Sequence, residues 1–167
     1  IAPEVRDNWQ VPTFDTPLWL GRKHPWCVVI PVINEGERIK SLLSRMAALK
    51  IDSIADIIIV DGGSTDGSLE LDSLQQKGVR GLLVKTGPGK LSAQLRCVYA
   101  FALDQGYEGI ISIDGMTKMI RKRFRVLLRH LSKTWILSKP HVLFRVVWQR
   151  TPQNRGMSPS VSSMRRC

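Results

Sequence analysis

The sequence predicts an α/β fold around a mostly parallel sheet, and three observations carry that expectation. Four short, apolar, β-branched runs lie at residues 26–32, 57–60, 81–84 and 109–113. Between them, residues 37–49, 69–76 and 91–105 form helical stretches, the first with Ile39, Leu42, Leu43, Met46 and Leu49 at helical spacing. Polar and glycine residues collect directly after each apolar run. Continuous apolar strands alternating with amphipathic helices imply parallel strands covered on both faces and joined by right-handed crossovers.

Each segment has its own rationale. Residues 1–25 hold Pro3, Pro12, Pro17 and Pro25 with Trp9, Phe14 and Trp19 between them, and no sustained period. They read as an irregular arm that packs its aromatics on the body. Numbering the strands one to four along the chain, the expected sheet order is 3-2-1-4, with strand four at an edge.

Composition sets the boundaries. A chain of 167 residues suits one domain with a core, and its 43% hydrophobic and 23% charged residues are ordinary for a globular protein. The net charge of +11 would suit nucleic acid or an anionic membrane if it were spread over the fold. It is not: residues 1–115 hold 12 basic and all 14 acidic residues, whereas residues 116–167 hold 13 basic residues and no Asp or Glu. The expected parts are an arm (1–25), an α/β domain (26–115) and a basic tail (116–167). Cys27, Cys97 and Cys167 are scattered, without the paired spacing of a zinc site or a disulfide framework, which fits a reducing compartment. The longest apolar run, residues 26–33, is too short to span a bilayer, and no signal segment opens the sequence. A cytoplasmic location is expected, or a peripheral one at the cytosolic face of a membrane.

In an open parallel sheet, ligands bind beyond the carboxyl ends of the strands. Asn34 and Glu35 follow strand one; Asp61, Gly62, Gly63, Ser64, Thr65, Asp66 and Gly67 follow strand two; Gly87, Pro88, Gly89 and Lys90 follow strand three; Asp114 and Gly115 follow strand four. The Gly87–Lys90 turn opens a helix, where free N–H groups and Lys90 could face a phosphate, or form an ordinary helix entry. Asp61 could accept hydrogen bonds from a base or ribose, and the same stretch equally suits a turn followed by an Asp66 helix cap. Asp114 could ligate Mg²⁺ or Mn²⁺, yet Met116 and Thr117 supply no second carboxylate. A nicotinamide enzyme is excluded at the first turn: residues 31–36 contain no GxGxxG, and no P-loop signature occurs.

Four motifs in order, Val-Val-Ile-Pro-Val-Ile-Asn-Glu (28–35), Ile-Val-Asp-Gly-Gly-Ser-Thr-Asp-Gly (59–67), Gly-Lys-Leu-Ser-Ala-Gln-Leu-Arg (89–96) and Ile-Asp-Gly (113–115), resemble glycosyltransferase family 2. The resemblance covers roughly residues 26–115 and implies a GT-A fold, a Rossmann-like nucleotide-binding half. It implies that Pro31, Asn34 and Glu35 shape a nucleotide pocket, and that Asp61, with Gly62 and Ser64 beside it, holds the base or ribose. It further implies that Lys90 and Arg96 face the nucleotide and its phosphates. Asp114 would open an Asp-x-Asp-like motif for a Mg²⁺ or Mn²⁺ ion and the diphosphate. The implied reaction is metal-assisted transfer of a sugar from a nucleoside-diphosphate donor to a lipid-linked or saccharide acceptor, with no specific nucleic-acid partner. No catalytic base is assigned, because the family places it in an acceptor half expected to be missing, so this chain is expected to be a truncated, inactive form.

The basic tail admits three readings. Ile120, Phe124, Leu127, Leu128 and Leu131 share a helical face across residues 118–133, which suits a non-enzymatic module binding membrane or nucleic acid. The third, preferred reading is a lost base near Gly115. Joining the last base of each codon to the first two of the next turns residues 116–120 into Asp-(Lys/Glu/Gln)-(Asn/Asp)-Asp, the acidic run that the resemblance expects there.

Overall fold

A computed structural model describes residues 8–113, together with the backbone of residues 146–148. The chain runs through β1 (Phe14–Trp19), β2 (Trp26–Val32), α1 (Glu37–Ala48), a 3₁₀ turn (Ile51–Ser53), β3 (Asp56–Asp61), α2 (Leu71–Gln76), β4 (Val79–Lys85), α3 (Leu91–Asp104), β5 (Gly109–Ser112) and β6 (Val146–Trp148). The sheet order is β1-β4-β3-β2-β5-β6. Strands β2 to β5 are the four expected from the sequence, mutually parallel and in the order 3-2-1-4.

Two antiparallel strands flank them and correct the expectation. The arm is not irregular throughout, because β1 pairs with β4. One extra residue between Asp15 and Leu18 makes a bulge, which accommodates Pro17, a residue that cannot donate to a ladder. The bulge also changes the side-chain parity. Phe14 and Trp19 therefore meet the same ring, Phe101, edge-on with centroids 6.4 and 4.9 Å away, while Leu18 enters the opposite core. At the other flank β6 pairs with β5 in the register Gly109↔Trp148 to Ile111↔Val146. Strand four is thus not an edge, since part of the tail satisfies its outer backbone groups. The proposed helix over residues 118–133 lies outside the described residues.

The period-2 alternation of the strands feeds two cores. Val28, Ile30, Val32, Ile57 and Ile59 pack under Ile39, Leu42, Leu43 and Met46 of α1 and Leu74 of α2. Cys27, Val29, Ile58, Val60 and Leu83 pack under Cys97, Val98 and Ala102 of α3. Burial raises the pKa of both thiols, which keeps them protonated and inert in the core.

At the amino ends of the parallel strands, Asp56 is fully buried and organises a polar hub. Its carboxylate accepts hydrogen bonds from Lys23 N (2.8 Å), His24 N (3.1 Å), His24 Nδ1 (2.8 Å) and Tyr107 Oη (2.6 Å), with Arg80 Nε 3.7 Å away. Burial alone would push its pKa up, but the bonds from Tyr107, Lys23 and His24 outweigh it and hold the carboxyl below its ordinary value. This hub ties the β1–β2 connection to β3, β4 and the turn before β5. It lies at the opposite end of the sheet from the polar edge, so it serves the fold.

Candidate functional site

At the carboxyl ends of β2 and β3 the chain closes a small polar clasp. Asn34 adopts a left-handed backbone conformation (φ 48°), which Asn tolerates better than branched residues. In that conformation Asn34 N donates to Ser64 Oγ (2.9 Å), while Asn34 Oδ1 accepts from Thr65 N (2.9 Å). Gly62 N donates to Val32 O (2.8 Å) and Gly36 N to Asp66 Oδ2 (2.8 Å). The loops after β2 and β3 are therefore held to each other by four hydrogen bonds.

Asp61 ends β3 with only 5% of its surface exposed. It accepts from Ser64 N at 2.9 and 3.0 Å and from Ser64 Oγ at 2.6 Å. The turn role foreseen for this stretch is real: Ser64 takes both acceptor positions of Oδ1, and Oδ2 keeps one for a ligand donor. Asp66 does not cap α2, whose N-cap position is Glu70 without a side-chain hydrogen bond. It accepts instead from Ser68 Oγ, Ser68 N and Gly36 N, bonds that lower its pKa and keep it ionised.

Pro31 is buried in β2, and Glu35 is half-buried with Arg38 Nη1 3.7 Å from its carboxylate. Lys90 occupies the N-cap position of α3, exposed, with no side-chain cap on that helix end. The turn before it is braced from the arm: Thr86 N and Gly87 N both donate to Thr13 O, at 3.0 and 2.9 Å. Gly87 permits this approach, since a Cβ there would meet Pro12 Cβ and Thr13 N at 2.8 Å.

The structure thus brings Pro31, Asn34, Glu35, Asp61, Gly62, Ser64 and Lys90 to one edge of the sheet. Arg96 is set apart from them. Its Nε donates to Gln10 O at 3.2 Å, and two residues beyond Gln94 it lies about 200° around the helix from the side that meets the strand ends. Arg96 anchors the arm. Asp114 follows Ile113, whose N donates to Val29 O at 2.8 Å, and itself lies outside the described residues. Among the described residues no three His, Cys, Asp or Glu side chains come together to hold a metal.

One residue at this edge carried no assigned role in the sequence. Gln94 is buried, 4% exposed, and its Nε2 donates to Val32 O (2.9 Å) and Val60 O (3.2 Å). The available signal was a polar residue within the apolar stripe of Cys97, Val98 and Ala102 on α3.

Residues 27–105 match the family described as glycosyl transferase family 2. Over 101 residues the chain is 30% identical to glycosyltransferase AglJ of Haloferax volcanii, covering 56% of this chain and 31% of that protein. Among solved structures it is similar to glucosyl-3-phosphoglycerate synthase from Mycobacterium tuberculosis with Mn²⁺, UDP and glucosyl-3-phosphoglycerate, at 25% identity and a TM-score of 0.40. That match covers 57% of this chain and 34% of the synthase. The same synthase with Mg²⁺ and UDP matches at the same identity and TM-score. The chain therefore spans 31% to 34% of the length of these relatives. No helix among the described residues is long and apolar enough to cross a membrane. The strand-end motifs and the family match agree over residues 27–105, the part of this chain that is similar to glycosyl transferase family 2.

Proposed function

We propose that the carboxyl edge of the sheet binds the nucleoside-diphosphate part of a sugar donor, and that the enzyme to which this segment belongs transfers that sugar to an acceptor. One observation carries the reading. The family-matched loops after β2 and β3 meet the uncapped N-terminus of α3 at a single edge. In this arrangement Asp61 accepts from the base or ribose, while Asn34, Glu35 and Pro31 wall the pocket. Gly62 and Ser64 shape the turn against it. Lys90 and the free N–H groups at the start of α3 face the diphosphate, where positive charge stabilises the leaving group as it departs.

A divalent cation, Mg²⁺ or Mn²⁺, belongs to this proposal through Asp114. The described carboxylates do not form a cation site by themselves, since Asp61 and Asp66 are engaged by Ser64, Ser68 and Gly36. The contacts assigned above are made by side chains and N–H groups of this chain, and the ion would add to them. When bound, such an ion neutralises diphosphate charge.

The test is calorimetric titration of the chain with UDP, GDP and inorganic phosphate, each with and without MnCl₂. Saturable binding of a nucleoside diphosphate, much tighter than phosphate, supports the reading. Equal, weak binding of all three would leave only a nonspecific response to anions.

A further inference from the structure

Beneath the proposed donor site lies a buried polar side chain, Gln94, hydrogen-bonded to the ends of both strands that lead into the ligand-facing loops. Gln94 lies on the inner face of α3, where its neighbours Ala93, Cys97 and Val98 are buried and apolar. An amide in such a place costs free energy unless it is hydrogen-bonded. Its Nε2 resolves that cost by donating to two carbonyls on different strands, Val32 O at 2.9 Å and Val60 O at 3.2 Å. Val32 O also accepts Gly62 N at 2.8 Å, so one carbonyl receives both the exit of β3 and the helix. Gly62 is matched to this contact: a Cβ there would stand 2.8 Å from Gln94 Nε2 and 3.0 Å from its Cδ.

We infer that Gln94 is a positioning residue for the donor site, its buried amide fixing the ends of β2 and β3 at the separation that lets the Asn34 and Asp61 loops clasp. The inference rests on the donor-site reading above. Asn34 is two residues past Val32, and Asp61 is the residue after Val60, so a shift of either carbonyl moves a ligand-facing loop. Lys90 is four residues before Gln94, one helical turn away on the same side of α3, so the same anchor sets where Lys90 stands. A buried residue that only satisfied carbonyls would stabilise the fold and nothing more. A positioning residue changes affinity in molecules that remain folded.

Three variants separate these roles. Gln94→Leu fills the space without a donor. Gln94→Glu keeps the shape, but only its protonated form can donate. Val98→Ala, on the same helix and fully buried, supplies a loss of packing away from the strand ends. Affinity for UDP and for GDP with MnCl₂ is measured by calorimetry under conditions where each variant is folded. Gln94→Leu removes both of these buried hydrogen bonds and is expected to weaken binding roughly tenfold, while Val98→Ala stays within about twofold of the parent chain. Gln94→Glu should regain affinity relative to the parent as the pH falls and its carboxyl protonates. Parent-like binding by Gln94→Leu, or an equal loss in Val98→Ala, overturns the inference. If the parent chain binds neither nucleotide, the donor-site reading falls separately, and amide exchange at Gly62, Ser64 and Thr65 decides the role of Gln94. Faster exchange there in Gln94→Leu than in Val98→Ala supports positioning, and equal exchange refutes it.

Discussion

Asp61 serves the turn and, in the proposed site, the ligand, and two substitutions separate the roles. Asp61→Ala removes the acceptor of Ser64 N and Ser64 Oγ. Because Ser64 is only half-buried, water can reach the freed donors, and the folding cost should be about 1–2 kcal/mol. With a urea dependence of about 1–3 kcal/mol/M for a domain of this size, the midpoint should fall by roughly 0.3–2 M. Asp61→Asn keeps an amide oxygen for Ser64 and should cost less than about 0.5 kcal/mol, since this kind of turn accepts Asn as well as Asp. Both variants lose the carboxylate as ligand acceptor, which should weaken nucleotide binding by about 1–3 kcal/mol, or roughly 5–150-fold in Kd. Urea unfolding followed by calorimetry on the same samples provides the comparison. If Asp61→Asn binds UDP as tightly as the parent chain, Asp61 is a turn residue alone.

Further predictions address the surroundings. Arg96→Ala should leave nucleotide affinity within about twofold while loosening the arm, because its Nε holds Gln10 O; nucleotide titration paired with proteolysis near residue 10 checks both halves. Asp56→Ala should lower stability by about 3–5 kcal/mol, as the phenol of the buried Tyr107 and the donors of Lys23 and His24 lose their shared acceptor. Since the native pKa of Asp56 is depressed, its contribution is complete above the unfolded carboxyl value of about 3.9 and drains away as the pH falls through the lower native value. Acid titration of parent and variant should therefore converge at low pH, and a constant gap across that range would contradict the assignment. Asp114→Asn should raise the MnCl₂ concentration needed for nucleotide binding without shifting the urea midpoint, and binding that persists fully in chelator would remove the ion from the proposal. Reading the coding DNA beyond residue 115 in the alternative frame should give a continued α/β pattern; early stop codons would refute the shifted frame.

The parallel heart of the fold was legible because its signal is periodic and local. Alternating apolar runs such as 26–32 and 57–60 can satisfy their burial only as strands covered on both faces. The strand-end rule then placed Asn34, Asp61 and Lys90 at one edge without any knowledge of contacts. What escaped depends on pairing across long separations. Pro17 made Phe14–Trp19 look irregular, and only the bulge opposite β4 shows how a strand absorbs it. The antiparallel partner of β5 lies more than thirty residues away in a stretch whose composition argued against it. Asp66 matched a helix cap by spacing, yet its acceptors are drawn to Gly36 and Ser68 because the two loops fold onto each other. Arg96 followed from motif position, and helix geometry turned it away from the edge.

The central claim is that a nucleoside diphosphate sits on the carboxyl edge formed by β2, β3 and the start of α3. Backbone amide chemical-shift mapping of the labelled chain during titration with UDP and MnCl₂ tests it most directly. The account predicts saturating shifts concentrated at Asn34, Glu35, residues 61–65 and residues 89–92, with residues 22–24 and 107–108 at the opposite end of the sheet unmoved. Shifts centred on the Asp56 end, or none that saturate, would contradict it.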